Sequence, residues 1–472
     1  MPVSAEITVD QDWGTLPEPW PSLFEWVERT AGARLVGWRR QARWRPAWYL
    51  TVDDPNQPEL YVRCQREESM PWTRTLSLRR EYEIMRVLHE HGAVVPKPLG
   101  FCEHPEAILM ESVRGRDRFD DTDDAATRDI VITGYMDALA HAHRIDPAAF
   151  EAIGLHRPTT AREIGYMGFE LSEKWYRSIK PGPDPTIEFI IGWLHRNVPT
   201  HRDTVSWIHF DAGQFLHHDR RVTALMDVEF SCLGDPLADL GAMRMRDTAQ
   251  PIGDLTTAYA HYAKITGTPV DRRVVNFHAV RFALLTAMLS AGTRADPPAE
   301  FDLAQWQAWS LMSLMICLTI ISEESGYQLD VPPPLSYPAI RHDPGFRSAA
   351  RVLDSVLTEL DPDDYLAFRL RIVRDLLPGL HRAARAGDHA EELDRAEEAR
   401  LLGEQAASWQ EAEDRLERYV TGEHHDEAEI VRLLARRLCR QIDITAPGMR
   451  DVRGFRVQPI DWSRIPGGDG DQ

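Results

Sequence analysis

Residues 206–230 interrupt a chain that otherwise reads as mainly helical from about position 121, and this interruption limits the possible folds more than any other feature. Three short apolar runs, 207–210, 215–217 and 222–226, alternate with polar turns there, which predicts paired strands and loops. An aspartate follows two of these runs, Asp211 and Asp227, and the side-chain amide of Gln214 lies between them.

The first hundred residues have a different character. Runs 33–37, 48–52 and 60–63 are β-prone and separated by turn-rich stretches. Residues 77–91 follow with Leu78, Tyr82, Met85 and Leu88 at helical spacing. A Val-Pro-Lys-Pro break and another apolar strand over 107–110 complete a small α+β lobe. Helices are predicted over 127–145, 163–179 and 185–197, and again through Ser322. A proline-rich break from Pro332 to Pro344 reads as a linker. Beyond it, 349–360, 364–386, 389–421 and 426–442 read as amphipathic helices, and the Pro-Gly-Gly-Asp-Gly run 466–470 as a frayed tail. No internal repeat is apparent.

Bulk properties exclude several classes. A chain of 472 residues predicts two or three compact units. The formal charge of −20 argues against broad nucleic-acid binding, which needs a basic footprint. Five dispersed cysteines without a C-x-x-C pair suggest reduced, mostly buried thiols. Residues 1–13 have no basic n-region, and the apolar run 311–321 is too short to span a bilayer, so no membrane partner and a cytoplasmic location are expected.

Hard oxygen ligands such as carboxylates and amides suit Mg²⁺, which shares its shell with substrate phosphates. Phosphoryl transfer needs one carboxylate to orient an acceptor hydroxyl and further oxygen ligands to place the metal on ATP. Asp211 fits the first role, and Gln214 with Asp227 the second. Downstream, Asp235-Pro236 is a strong helix start, with Asp239 one turn further on.

The ordered set His-x-Asp (209–211), amide (214), Asp-x-Glu (227–229) and Gly-Asp-Pro-x-x-Asp (234–239) resembles the aminoglycoside phosphotransferase family. It is most similar to the kinase domains fused to some acyl-CoA dehydrogenases, whose pattern 185–199 also matches. The resemblance covers roughly residues 18–330 and implies a protein-kinase-like two-lobed α+β fold with ATP between the lobes. An N-lobe would span 18–113 and a C-lobe 114–335, followed by an all-helical domain over 345–455 and a tail over 456–472. By this similarity Asp211 is the catalytic base, His209 completes the catalytic loop as its brace, and Gln214 and Asp227 hold Mg²⁺. Arg63 contacts the ATP phosphates, Glu81 pairs with it, and Met110, Glu111 and Val113 form the adenine hinge. Asp235 and Asp239 support the loop structurally.

Three positions depart from the family pattern. The loop after Asp211 is two residues short, with Gln214 where asparagine is usual. Arginine replaces lysine at 63, exchanging a point cation for a planar fork. The segment 37–45 carries one glycine where phosphate-covering loops often have several, and its arginines suit either phosphates or a solvated strand face.

The expected reaction is transfer of the ATP γ-phosphate to a small-molecule hydroxyl, with acyl-CoA-like and antibiotic-like acceptors both consistent. The alternative is a catalytically degenerate kinase-like binding or scaffold protein, with the C-terminal helices as candidates for self-association. A zinc site built from His209, His217 and His218 is the remaining option. Trp175, Trp193, Trp306 and Trp309 read as core or acceptor-pocket residues, and the charged run 391–400 as a solvated helix face.

Overall fold

The structure is a computed structural model and describes residues 8–9, 13–41, 46–65, 77–120, 122–299, 301–360, 365–422 and 426–468. Arg43 and Arg45 of the glycine-poor segment, and positions 469–470 of the tail, lie outside the described residues.

The first lobe is a six-stranded antiparallel sheet with two helices. It contains β1 (Thr8–Val9), α1 (Trp20–Ala31), β2 (Leu35–Arg40), β3 (Ala47–Val52), β4 (Glu59–Cys64), α2 (Leu78–Glu90), β5 (Pro98–Glu103) and β6 (Glu106–Glu111). The spatial order is β1-β2-β3-β4-β6-β5. Period-2 alternation on β4 decides what the cleft receives. Leu60, Val62 and Cys64 point into a core with Trp48, Leu50 and Phe24, so Arg63 is presented on the opposite face. Helix α1 has no counterpart in the sequence reading, although Leu23, Phe24 and Val27 on its inner face are fully buried.

The second lobe runs α3 (Ala125–His143), α4 (Pro147–Glu151), α5 (Ala161–Tyr166), α6 (Phe169–Ile179), α7 (Pro185–Arg196), β7 (Ser206–Ile208), β8 (Phe215–His218), β9 (Arg221–Leu225), β10 (Cys232–Gly234), α8 (Leu237–Ala249), α9 (Leu255–Thr266), α10 (Arg272–Leu289), α11 (Ala291–Ala295) and α12 (Leu303–Ser325). Aspartates set many of its boundaries. Asp124, Asp184, Asp254, Asp271 and Asp302 each accept a backbone N–H from the first turn of the helix they precede. Such caps contribute about 1 kcal/mol each. The helix expected over 163–179 is divided into α5 and α6, because Met167 and Gly168 adopt left-handed conformations. Helix α12 is long and apolar enough to cross a bilayer. It is a core helix here, with Ile316, Cys317, Leu318, Ile320 and Ile321 fully buried.

Helices α13 (Asp343–Glu359), α14 (Tyr365–Leu402), α15 (Trp409–Val420) and α16 (Glu427–Thr445) follow the proline-rich segment. The main core of α15 and α16 is shared with the second lobe. Leu416, Val420, Ile430 and Leu434 pack in one cluster with Leu194, Phe277, Ile316 and Ile320. The break expected near 387 does not occur, and α14 runs on to Leu402 ahead of the left-handed Gly403.

Two expectations need correcting. Residues 391–400 are not a solvated face: Asp394 and Glu397 bind Arg440 at 2.6 and 2.9 Å, and Glu398 is buried. The described part of the run expected to fray, 466–468, is anchored to the second lobe along with the segment before it. Ile465 is buried in the second-lobe core, Pro466 accepts the N–H of Val270 at 2.9 Å, and Gln458 binds Leu255, Asp247 and Gly253. Glycine and proline shaped that misreading, while Ile465 and Trp462 supply the anchorage.

Candidate active site

Antiparallel pairing of β7 with β10, Ile208 opposite Cys232, brings the loop 209–214 beside the turn that carries Asp227. The hairpin β8–β9 connects them. Asp239, in the first turn of α8 and fully buried, organises the loop. Its Oδ2 accepts the His209 N–H and its Oδ1 the Phe210 N–H, both at 2.8 Å. The same carboxylate meets His143 Nε2 at 2.9 Å, and His143 Nδ1 lies 2.8 Å from the Tyr262 hydroxyl. Carboxylate-to-backbone bonds of this kind exceed neutral ones in strength, and they hold Phe210 in a left-handed conformation (φ 74°) immediately before Asp211. Asp235 accepts a two-point contact from Arg202 (2.7 and 2.9 Å) and caps α8 through the Leu237 N–H. Both aspartates stand in supporting positions.

His209 is completely buried, and its Nε2 donates to the Met226 carbonyl at 2.7 Å. The ring therefore ties the Asp211 loop to the Asp227 turn without reaching the cleft, so its place in the catalytic pair is that of a brace. His217 and His218 turn away from it, toward the Arg118 carbonyl and Asp219. No group of three or more His, Cys, Asp or Glu side chains among the described residues has a metal-binding arrangement, so nothing here supports the zinc reading.

Asp211 Oδ2 accepts from Gln214 Nε2 at 2.7 Å, and the same nitrogen lies 3.5 Å from Asp227 Oδ2. The shortened loop thus places its amide between the two carboxylates. Gly213 makes the turn possible at φ 102°, and its N–H donates to the buried Tyr135 hydroxyl at 2.7 Å.

From the first lobe, Arg63 reaches across to the Asp227 turn. Its Nη2 is 2.8 Å from Asp227 Oδ1 and 3.2 Å from Glu229 Oε2, and its Nε is 3.3 Å from Glu81 Oε2. Burial opposes the charge on Arg63, but Glu81, Asp227 and Glu229 outweigh it and hold the guanidinium firmly protonated. Glu111 and Ser112 commit their N–H groups to Lys97 and Glu59 carbonyls. The N–H of Val113 has no backbone partner among the described residues. Arg39 and Arg40 lie over the rings of Tyr49 and Trp48, with Arg39 half-buried and Arg40 exposed.

A match to the phosphotransferase enzyme family model spans residues 38–274. The chain belongs to the phosphotransferase enzyme family. Curated relatives include acyl-CoA dehydrogenase family member 11 of Rattus norvegicus, 27% identical over 217 residues, which covers 43% of this chain and 27% of that protein. The Homo sapiens member 11 is 27% identical over 228 residues, covering 45% and 28%. The matched region therefore spans little more than a quarter of these relatives. Among solved structures, a Ralstonia eutropha JMP134 protein provisionally designated an aminoglycoside phosphotransferase aligns with TM-score 0.50 at 22% identity. That match covers 64% of this chain and 98% of that one, and shows a shared fold.

Three side chains that build the site of this phosphotransferase are absent from the sequence reading. Arg80 of α2 donates to the Glu229 carbonyl at 2.8 Å and to the Ser231 carbonyl, which fastens the first-lobe helix to the segment after Asp227. Tyr135 receives the Gly213 N–H from α3. Arg246 of α8 donates to Asp211 Oδ1 through Nε at 2.9 Å and through Nη2. Position 246 is seven residues beyond Asp239 on the same helix, so two helical turns from a recognised motif were the available signal.

Proposed function

We propose that this enzyme transfers the γ-phosphate of ATP to a hydroxyl of a small molecule, with Mg²⁺. The observation that supports this reading is the series Arg63, Asp227, Gln214, Asp211, in which a guanidinium, a carboxylate, a side-chain amide and a second carboxylate stand side by side. The donor set fits the ion. Asp227 Oδ1 is held by a guanidinium and Oδ2 lies near an amide N–H, both positive groups at the carboxylate that would otherwise face a cation. Asp227 and Gln214 would hold Mg²⁺, the latter after turning its amide so that Oε1 faces inward. When bound, the ion would supply charge neutralisation on the phosphates.

The chain's own residues account for the rest. Oδ1 of Asp211 is filled by two Arg246 donors and Oδ2 by the Gln214 amide, so Oδ2 is the oxygen that would meet an acceptor hydroxyl once that amide turns toward the ion. That hydroxyl would form a bond to the γ-phosphorus as its bond to the bridging oxygen of ADP breaks, and its proton would pass to Asp211. Acyl-CoA-like and antibiotic-like acceptors are both compatible with this chemistry, and a cytoplasmic location is part of the proposal. Thermal denaturation with and without Mg·ATP tests it. Stabilisation is expected in the wild type and its loss in Asp227→Ala. No shift at millimolar nucleotide would overturn the reading in favour of a non-catalytic binding protein.

A further inference from the structure

The contacts across the cleft form one line. Arg63 meets Asp227 (2.8 Å), Asp227 approaches Gln214 (3.5 Å), Gln214 meets Asp211 (2.7 Å), and Asp211 meets Arg246 (2.9 Å). Arg246 ends that line, next to Asp211 and two contacts removed from Asp227. A ligand group meeting Arg246 therefore lies beside the base.

The guanidinium is only half used. Nε and Nη2 both converge on the single oxygen Oδ1, and no acceptor among the described residues meets Nη1. The outer Nη1–Nη2 edge carries two parallel donors, the geometry that fits a carboxylate or phosphate. The stem is fixed below, since a Cβ at Gly213 would sit 3.4 Å from Arg246 Cγ and Cδ. The side chain keeps 26% of its surface accessible, so it is pinned along one edge and open along the other. Asp211 and Asp227 strengthen its hold on its charge against the cost of burial.

We propose that Arg246 is a specificity-determining residue of the acceptor site, receiving a carboxylate or phosphate of the acceptor on its outer edge while its inner edge holds Asp211. The acceptor class is then a hydroxyl compound with an anionic group a few bonds from the reacting oxygen. This rests on the phosphotransferase reading above.

The test uses the full chain, with Mg·ATP stabilisation measured first; its absence counts against the phosphotransferase reading and leaves the binding arm below intact. ADP release is then measured with short hydroxycarboxylates beside their carboxamides, and with sugar phosphates beside the free sugars. The wild type is expected to prefer the charged member of at least one pair by about tenfold or more in kcat/KM. Arg246→Gln should bring that ratio close to one, and Arg246→Lys should retain part of it. The pair showing the preference identifies carboxylate or phosphate as the group recognised. Equal losses on charged and neutral members would make Arg246 only a positioning residue for Asp211 and overturn the assignment, as would a ratio unchanged in Arg246→Gln. If no compound is turned over, calorimetric binding of the same pairs to the Mg·ADP complex, or to the free protein if nucleotide does not bind, reads the same ratio. Equal binding of charged and neutral members there overturns the proposal.

Discussion

Arg63 and Arg246 stand at opposite ends of the same run of side chains, in contrasting surroundings. Arg63 is buried and shared among Glu81, Asp227 and Glu229. Arg246 is partly open, and Asp211 is the one carboxylate it bonds among the described residues. Three carboxylates around one guanidinium bind the first end to the protein's own anions. One carboxylate on half a guanidinium leaves the second end with spare donors, which suits an anion. Residues of one type thus do different electrostatic work, and the difference lies in how many carboxylates the fold brings to each.

That contrast can be broken experimentally, beginning where both ends meet. Asp211→Asn should lower the transfer rate by about a thousandfold while Mg·ATP stabilisation persists, as measured by ADP release and thermal shift. Retained transfer would place the base elsewhere. Arg63→Ala strands three carboxylates around an empty centre and should cost about 3 kcal/mol in denaturant unfolding.

Asp247, beside Arg246, should produce a pH effect of about 2 kcal/mol. Burial raises its carboxyl to about 6 from an ordinary 3.8, against the Ile252 N–H and Gln458 amide that favour the anion. The folded state therefore holds this proton more tightly than the unfolded chain. The stabilisation is complete below pH 3.8 and lost as pH rises through about 6. Unfolding curves at pH 4.5 and 7 should show this component in the wild type and not in Asp247→Asn. Arg246→Ala has the smallest expected effect, about 1 kcal/mol or less, because Asp211 can regain water. A loss as large as that for Arg63→Ala would erase the distinction between the two ends.

Much of the site was legible because its residues lie in short ordered runs. Gly213, Asp235 and Asp239 are needed by the backbone of the loop and helix start themselves, so local pattern reveals them. Arg80, Tyr135 and Arg246 act through distance in space. Nothing in the residues around Arg246 indicates that its guanidinium folds back over Gly213 to Asp211. The same limit explains the fold-level misses. The acidic run 391–400 is indistinguishable from a solvated face until α16 supplies Arg436 and Arg440. Gly387 reads as a break, yet it lies within the uninterrupted α14.

The docked segment around Gln458 has a consequence for the timing of synthesis. Gln458 contacts Asp247, the neighbour of Arg246, across 211 positions of chain. At roughly 5–20 residues per second, translation needs on the order of 10–40 s to cover that interval. The contacts among Arg63, Asp227, Gln214 and Asp211, with the strand β10 and the Asp239 carboxylate that hold them, need no residue beyond 239, so they can form well before α8 gains its last support. On the ribosome, the nucleotide side of the cleft can be complete while the acceptor side still waits for its final prop.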